Sequence, residues 1–166
     1  MRSIAPINGI LRAAALVLLV AVLAACSRTP STGVGNLGPG GGPPGSQQEF
    51  LVTVGDRVFF ETDSSNLTME AQTTLDKQAA WLNTYRNYSI LIEGHADERG
   101  TREYNIALGA RRAQTVRDYL ARNGINPGRL RTISYGKERP VAVCNDISCW
   151  SQNRRAVTVV QAGGSV

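Results

Sequence analysis

The sequence predicts an α/β layered domain in which two main helices pack on a mixed four-stranded sheet, in the order β-α-β-α-β-β. Three observations predict it. Short apolar runs alternate at period two, two long stretches repeat apolar residues at spacings of three and four, and Gly, Asn and Pro signals punctuate the gaps. The first strand is expected at Val58-Phe59-Phe60, after the Gly55-Asp56 turn signal. Leu67, Ala71, Leu75, Ala79 and Leu82 then mark one face of a helix, with no Gly or Pro from Leu67 to Arg86. Tyr88 to His95 is the second strand, because Ile90 and Ile92 alternate with Leu91 and Glu93. Ile106, Gly109, Ala113, Val116 and Leu120 mark the second helix, which Asn123-Gly124 ends and Pro127 keeps from resuming. Arg131 to Tyr135 and Arg155 to Val160 supply the last two strands. Each element has one apolar face, so helices layered on a sheet are the arrangement that buries them all.

These elements place the folded domain at residues 49–162, and the chain in front of it has a different chemistry. In residues 1–25, Arg2 and Arg12 precede the apolar run from Ala13 to Ala25, which ends in small residues as a signal peptide does. At about 1.5 Å per residue the run reaches about 20 Å, short of a hydrocarbon core of roughly 30 Å. Leu23-Ala24-Ala25-Cys26 resembles the bacterial lipobox. That resemblance implies S-diacylglycerol on Cys26, cleavage before it and an N-palmitoyl group on the new terminus. Ser27, standing where an Asp would retain the protein in the inner membrane, implies the outer membrane. One acyl chain gives only marginal binding, so the full set of chains is what makes such an anchor durable. Residues 26–48 are rich in Gly and Pro and poor in apolar side chains, which predicts a flexible tether with a root-mean-square span of roughly 25 Å. Gly33 to Gly38 matches G-x-G-x-x-G, but no strand precedes it and no helix follows, so no dinucleotide or other cofactor is expected. Residues 163–166 read as a disordered tail.

The formal charge of +5 falls to +3 once Arg2 and Arg12 leave with the signal peptide. The remaining arginines are scattered among acids without a basic run, which argues against nucleic-acid binding. His95 is the single histidine. A metal site needs three or four converging ligands, so no metal is expected and His95 is assigned a structural or hydrogen-bonding role. Cys144 and Cys149 enclose Asn145-Asp146-Ile147-Ser148, and in an oxidising compartment a local disulfide is expected between them.

Candidate functional residues gather where the second strand passes into the second helix, from Ile92 to Thr101, a junction at which sheet-and-helix folds often place ligand sites. At about 100° per residue, Thr101, Asn105, Leu108 and Arg112 share an arc of roughly 60° beside the core stripe. Asp97 in the loop and Arg112 on the helix would then present an anion and a cation at one rim. Such a pair suits a zwitterion: the carboxylate takes an ammonium and the guanidinium forks onto a carboxylate. Spacing alone leaves open an internal Asp97–Arg112 salt bridge or a merely solvated face.

The blocks Gly55 to Phe60, Glu93 to Asn105, Leu108 to Ala113, Ser134 to Glu138 and Asn153 to Val157 run in order through nearly the whole domain. Together they resemble the peptidoglycan-associated lipoproteins of the Tol-Pal system, within the wider group similar to the C-terminal domain of outer-membrane protein A. The resemblance implies a non-enzymatic protein that binds the diaminopimelate residue of the peptidoglycan stem peptide. Asp97 would hold its amine and Arg112 its carboxylate, with Asn105, Leu108 and Thr101 shaping the pocket and Asp63 completing the rim. Thr62 stands where some relatives are expected to carry an aromatic. The implied partners are peptidoglycan, TolB and the Tol inner-membrane complex, and the implied location is the outer membrane with the domain facing the periplasm. The implied role is outer-membrane integrity and invagination at cell division. A reading from another class is a muramidase-like enzyme that cleaves peptidoglycan, pairing Glu93 or Glu98 with Asp63 or Asp97. Strand alternation leaves the facing of Glu93 open.

Overall fold

Period-two alternation decides which side chains of the second strand meet the helices: Ile90 and Ile92 are buried, while Leu91 and Glu93 between them are half-buried on the opposite face. In the computed structural model, which describes residues 41–162, this strand is β2 (Tyr88–His95). The others are β1 (Arg57–Phe59), β3 (Leu130–Gly136) and β4 (Arg155–Ala162), in the sheet order β1-β4-β2-β3. β4 runs antiparallel to both β1 and β2, and β2 is parallel to β3, so the sheet is mixed as expected. Helix α1 (Met69–Thr84) follows β1, and helix α2 (Arg102–Arg122) makes the crossover between the parallel pair. Both helices contribute to one core with the inner face of the sheet, where Leu75, Leu82, Ile92, Val116 and Leu120 are fully buried.

Helix starts follow capping chemistry. The Thr68 hydroxyl accepts from the Ala71 N–H and the Thr101 hydroxyl from the Tyr104 N–H, so α1 begins at Met69 and α2 at Arg102. A third helix, α3 (Ile147–Asn153), escaped the periodicity because two turns are too short to display one. Asp146 caps it, and Cys144 and Cys149 are joined at its start, with Cα atoms 5.7 Å apart.

Ordered contacts also reach back before residue 49. A single helical turn, Gln47–Glu49, runs into a π-type turn, Phe50–Gly55. The Tyr88 hydroxyl donates to the Gly45 carbonyl, and Gln47 Nε2 to the Val160 carbonyl, each at 2.7 Å. The stretch from Gly45 to Gln48, expected as the end of the tether, is therefore held on the domain, because Phe50 buried beside the Trp81 ring fixes the chain next to it. The signal peptide, Cys26, most of the tether and the tail lie outside the described residues.

Helix α2 meets β2 through backbone rather than side chains. A Cβ on Gly94 would lie 1.8 Å from the Gly109 carbonyl oxygen, and one on Gly109 2.4 Å from Ser134 Oγ. The close approach sets the height of α2 above the sheet and so the position of the loop that enters it. Gly109→Ala is expected to lower stability by about 3 kcal/mol or more, an overpacking cost, in urea denaturation. An unchanged midpoint would show that α2 can lift without penalty.

On the other face of the sheet, His95 is 2% exposed, and neither ring nitrogen has a hydrogen-bond partner. Its ring is therefore structural and not hydrogen-bonding. Glu93 Oε2 lies 3.6 Å from Nε2, the Tyr135 ring is 5.6 Å away, and Arg155 and Arg139 face it. Burial, reinforced by those two arginines, pushes the imidazole down from 6.5 to about 4. The unfolded chain takes up a proton that the fold refuses, so this contribution is complete above pH 6.5 and is lost as pH falls toward about 4. Wild type should lose roughly 3 kcal/mol more than His95→Gln over that window, read by denaturation at each pH. Parallel profiles would remove His95 as the cause.

Candidate functional site

Two connections face each other over the first half of α2. The turn after β1 is closed by the Ser64 N–H on the Glu61 carbonyl, and it holds Asp63 in the left-handed region (φ 55°), which Asp tolerates better than most residues. The loop after β2 is drawn onto the helix by Asn105, whose Nδ2 donates to the carbonyls of Arg99 at 2.7 Å and Thr101 at 3.1 Å. Between them Thr62, Asp63, Asp97, Arg99, Gly100, Tyr104, Asn105 and Leu108 line a cleft of about 260 Å³. The Tyr104 hydroxyl donates to the Asp63 carboxylate across its mouth. Thr101 has its hydroxyl committed to the cap of α2.

Arg112 sits differently from the rim position expected of it. The arc it shares with Asn105 and Leu108 is no solvated stripe: the three are 0%, 2% and 5% exposed, and the turn at 61–64 is bonded down onto Arg112. Arg112 Nε donates to the Ser64 carbonyl at 2.8 Å, Nη1 to that of His95 at 2.8 Å and Nη2 to that of Glu61 at 3.2 Å. A guanidinium has about five N–H groups, so about two remain uncommitted. Burial lowers its pKa to about 10, against the opposing pull of Asp97 and Asp63, and leaves it charged at neutral pH.

No direct Asp97–Arg112 salt bridge forms among the described residues; Asp97 has other cations. Arg99 forks onto it, Nη2 to Oδ2 at 2.7 Å and Nε to Oδ1 at 3.1 Å, and the Arg99 backbone N–H adds a third bond. Arg154, buried and bonded to the Phe60 carbonyl, lies 3.5 Å from Oδ2. Burial alone would raise the Asp97 carboxyl, but the Arg99 hydrogen bonds and charge, with the Arg154 bond, hold it below the usual carboxylate range. The site therefore has an acceptor held ionised beside an exposed cation. Arg99 in turn stacks on the Trp150 ring, 4.1 Å from its centroid, and the indole N–H donates to Glu98. Glu93 stands outside this cleft, on the sheet face that carries His95.

Sequence reasoning brought Asp63, Asp97, Asn105 and Leu108 to one place and missed Arg99, Tyr104 and Arg154. Arg99 follows Asp97 by two residues in a loop, a spacing at which side chains can meet. Arg154 is 57 residues from Asp97, and no local pattern connects them.

The OmpA family model matches residues 59–155 of this chain. The peptidoglycan-associated lipoprotein of Rhizobium meliloti (strain 1021) is 60% identical over 159 residues, 95% of this chain and 90% of the relative. The chain belongs to the peptidoglycan-associated lipoproteins of the OmpA family. The protein of the same name from Haemophilus influenzae (strain ATCC 51907 / DSM 11121 / KW20 / Rd) is 43% identical over 83% of this chain and 90% of its own. The crystal structure of the peptidoglycan-associated lipoprotein from Burkholderia pseudomallei superposes with a TM-score of 0.62 at 42% identity, covering 64% of this chain and 90% of that one. The C-terminal domain of Helicobacter pylori MotB shares the fold, with a TM-score of 0.61 at 23% identity over 65% of this chain and 85% of that one.

Arg112→Met would strand three carbonyl groups around a buried site. It is expected to cost about 3 kcal/mol or more in urea denaturation. Wild-type stability in that variant would mean that the 61–64 turn does not depend on the guanidinium.

Proposed function

We propose that this protein is an outer-membrane lipoprotein that holds peptidoglycan without a covalent bond, by binding the diaminopimelate side chain of the stem peptide. The observation that carries this reading is the cleft lined by an ionised Asp97, paired with the exposed Arg99, next to a buried, charged Arg112. It is supported by 60% identity to relatives named peptidoglycan-associated lipoproteins. Asp97 accepts the ligand ammonium, and Asn105, Leu108 and Asp63 shape the walls. Arg112 supplies positive potential and its uncommitted N–H groups to the carboxylate. Cys26 carries the lipid, the segment 26–48 sets the reach, and the domain works in the periplasm with TolB and the Tol inner-membrane complex at the dividing envelope.

The role is binding and not catalysis. Glycoside cleavage requires one carboxyl held protonated as the general acid. Asp97 is held ionised, Glu98 accepts from Trp150, and Glu93 lies outside the cleft. Incubation with sacculi is expected to release no soluble muropeptides; release would support the muramidase reading instead.

In co-sedimentation with diaminopimelate-containing sacculi, wild type should pellet and Asp97→Ala should lose about 2–5 kcal/mol of binding, as when one half of a desolvated charge pair is removed. A folded Asp97→Ala protein that pellets as wild type would overturn the site.

A further inference from the structure

We infer a second ligand site, apart from the cleft, that takes a small zwitterion: a free α-amino acid with an apolar side chain. The buried guanidinium of Arg154 receives its carboxylate beside the start of α1, and Glu61 and Glu70 receive its ammonium at the mouth.

A pocket of about 290 Å³ opens between the end of β1, the start of α1 and the end of α3, and it shares no lining residue with the cleft. Small-molecule pockets run from roughly 300 to 1,000 Å³, so this one suits an amino acid rather than a peptide.

Its floor is a cation with a donor to spare. Arg154 is 5% exposed and lines this pocket, not the cleft. Two of its nitrogens are committed: Nε donates to the Phe60 carbonyl at 3.0 Å, and Nη1 lies 3.5 Å from Asp97 Oδ2. The Phe60 N–H donates in turn to the Arg154 carbonyl at 2.9 Å, so backbone and side chain are both fixed. Nη2 has no hydrogen-bond partner among the described residues, and unlike two of the guanidinium nitrogens of Arg155 it is not sealed from solvent. A guanidinium held in place with N–H groups left over is ready to receive a carboxylate.

The start of α1 favours the same charge. Thr68 and Glu70 both line the pocket, and the Thr68 hydroxyl accepts from the Ala71 N–H, which leaves its own hydrogen to donate. The N-terminal end of this 16-residue helix adds positive potential.

A simple anion is nonetheless a poor occupant. Glu61 and Glu70 stand exposed at the mouth, where their carboxylates repel it, and a simple cation meets Arg154 further in. A molecule that carries both charges and enters carboxylate first satisfies each group. Gln152 offers the ammonium a further acceptor, because its Nε2 is committed to the Ser148 carbonyl and its Oε1 is left open. The apolar part has a place as well: Phe59 lines the pocket and is 47% exposed, and covering it removes apolar surface from water.

The test follows proton–nitrogen correlation spectra of the full-length lipoprotein in detergent, titrated with leucine, with isocaproate, which is leucine without its ammonium, and with isoamylamine, which is leucine without its carboxylate. Leucine should give saturable shifts at Phe60, Glu61, Thr68, Glu70 and Gln152. Its Kd should lie about tenfold or more below that of either truncated probe, the scale of a charge-assisted hydrogen bond. Arg154→Gln should remove the preference for leucine over isoamylamine. Because Arg154 also holds Phe60 and Asp97, a second variant leaves those bonds alone: Glu61→Gln with Glu70→Gln changes two side chains of which only the backbone carbonyls are hydrogen-bonded. It should weaken leucine severalfold and tighten isocaproate, since the mouth no longer repels an anion. Leucine shifts that fail to saturate, that fall instead at Tyr104 and Asn105 in the cleft, or that either truncated probe reproduces at equal affinity would overturn the site. So would a folded double variant that binds every probe as wild type does. None of these outcomes touches the stem-peptide reading, which stands or falls with the sacculi.

Discussion

The buried guanidinium of Arg112 is the interaction on which the rest of the site depends. It belongs to α2 but is bonded to the carbonyls of Glu61 and Ser64 in the turn after β1 and of His95 at the end of β2. A charge removed from water is costly unless its hydrogen bonds are supplied, and here main-chain oxygens supply them. That requirement draws three separate stretches of chain to one point. The cleft is the space left above it, and Asp63, Asp97 and Asn105 line that space because the turn, the strand end and the helix are each fastened below.

The second constraint is steric. Gly94 and Gly109 bring α2 to backbone contact with β2, which leaves no tolerance for a side chain on either. A helix seated this low carries its first turn beside the strand end, so the loop between them is short and closes through the capping hydroxyl of Thr101 and the amide of Asn105. Packing density deep in the fold thereby fixes the precision of polar groups at its edge.

Charge in the cleft is arranged around Asp97, which two arginines hold. Asp97 is held ionised, and its carboxylate is already partnered and largely out of water. One partner, Arg99, is exposed, and the other, Arg154, is buried. An exposed ion pair of this kind contributes little and opens readily, whereas the buried one is held by its surroundings.

Most of the fold was legible in the sequence because its signals are local. Periodicity located both long helices and all four strands, while the capping roles of Thr68 and Thr101 emerged only with the structure. The two-turn α3 and the docked stretch from Gly45 to Gln48 were not legible, since one is too short for a period and the other is held by distant Tyr88 and Val160. At the site, helical spacing put Asn105, Leu108 and Arg112 on one arc, and the strand-to-helix junction singled out Asp97. By itself the sequence determined which residues share a face and which family's motif blocks they form. Only the tertiary structure decided that Arg112 lies beneath the cleft, that Arg99 and Arg154 hold Asp97, and that Trp150 braces Arg99. Those facts follow from which carbonyls and rings are brought near by the chain's long-range closure, and spacing along a sequence carries no record of that.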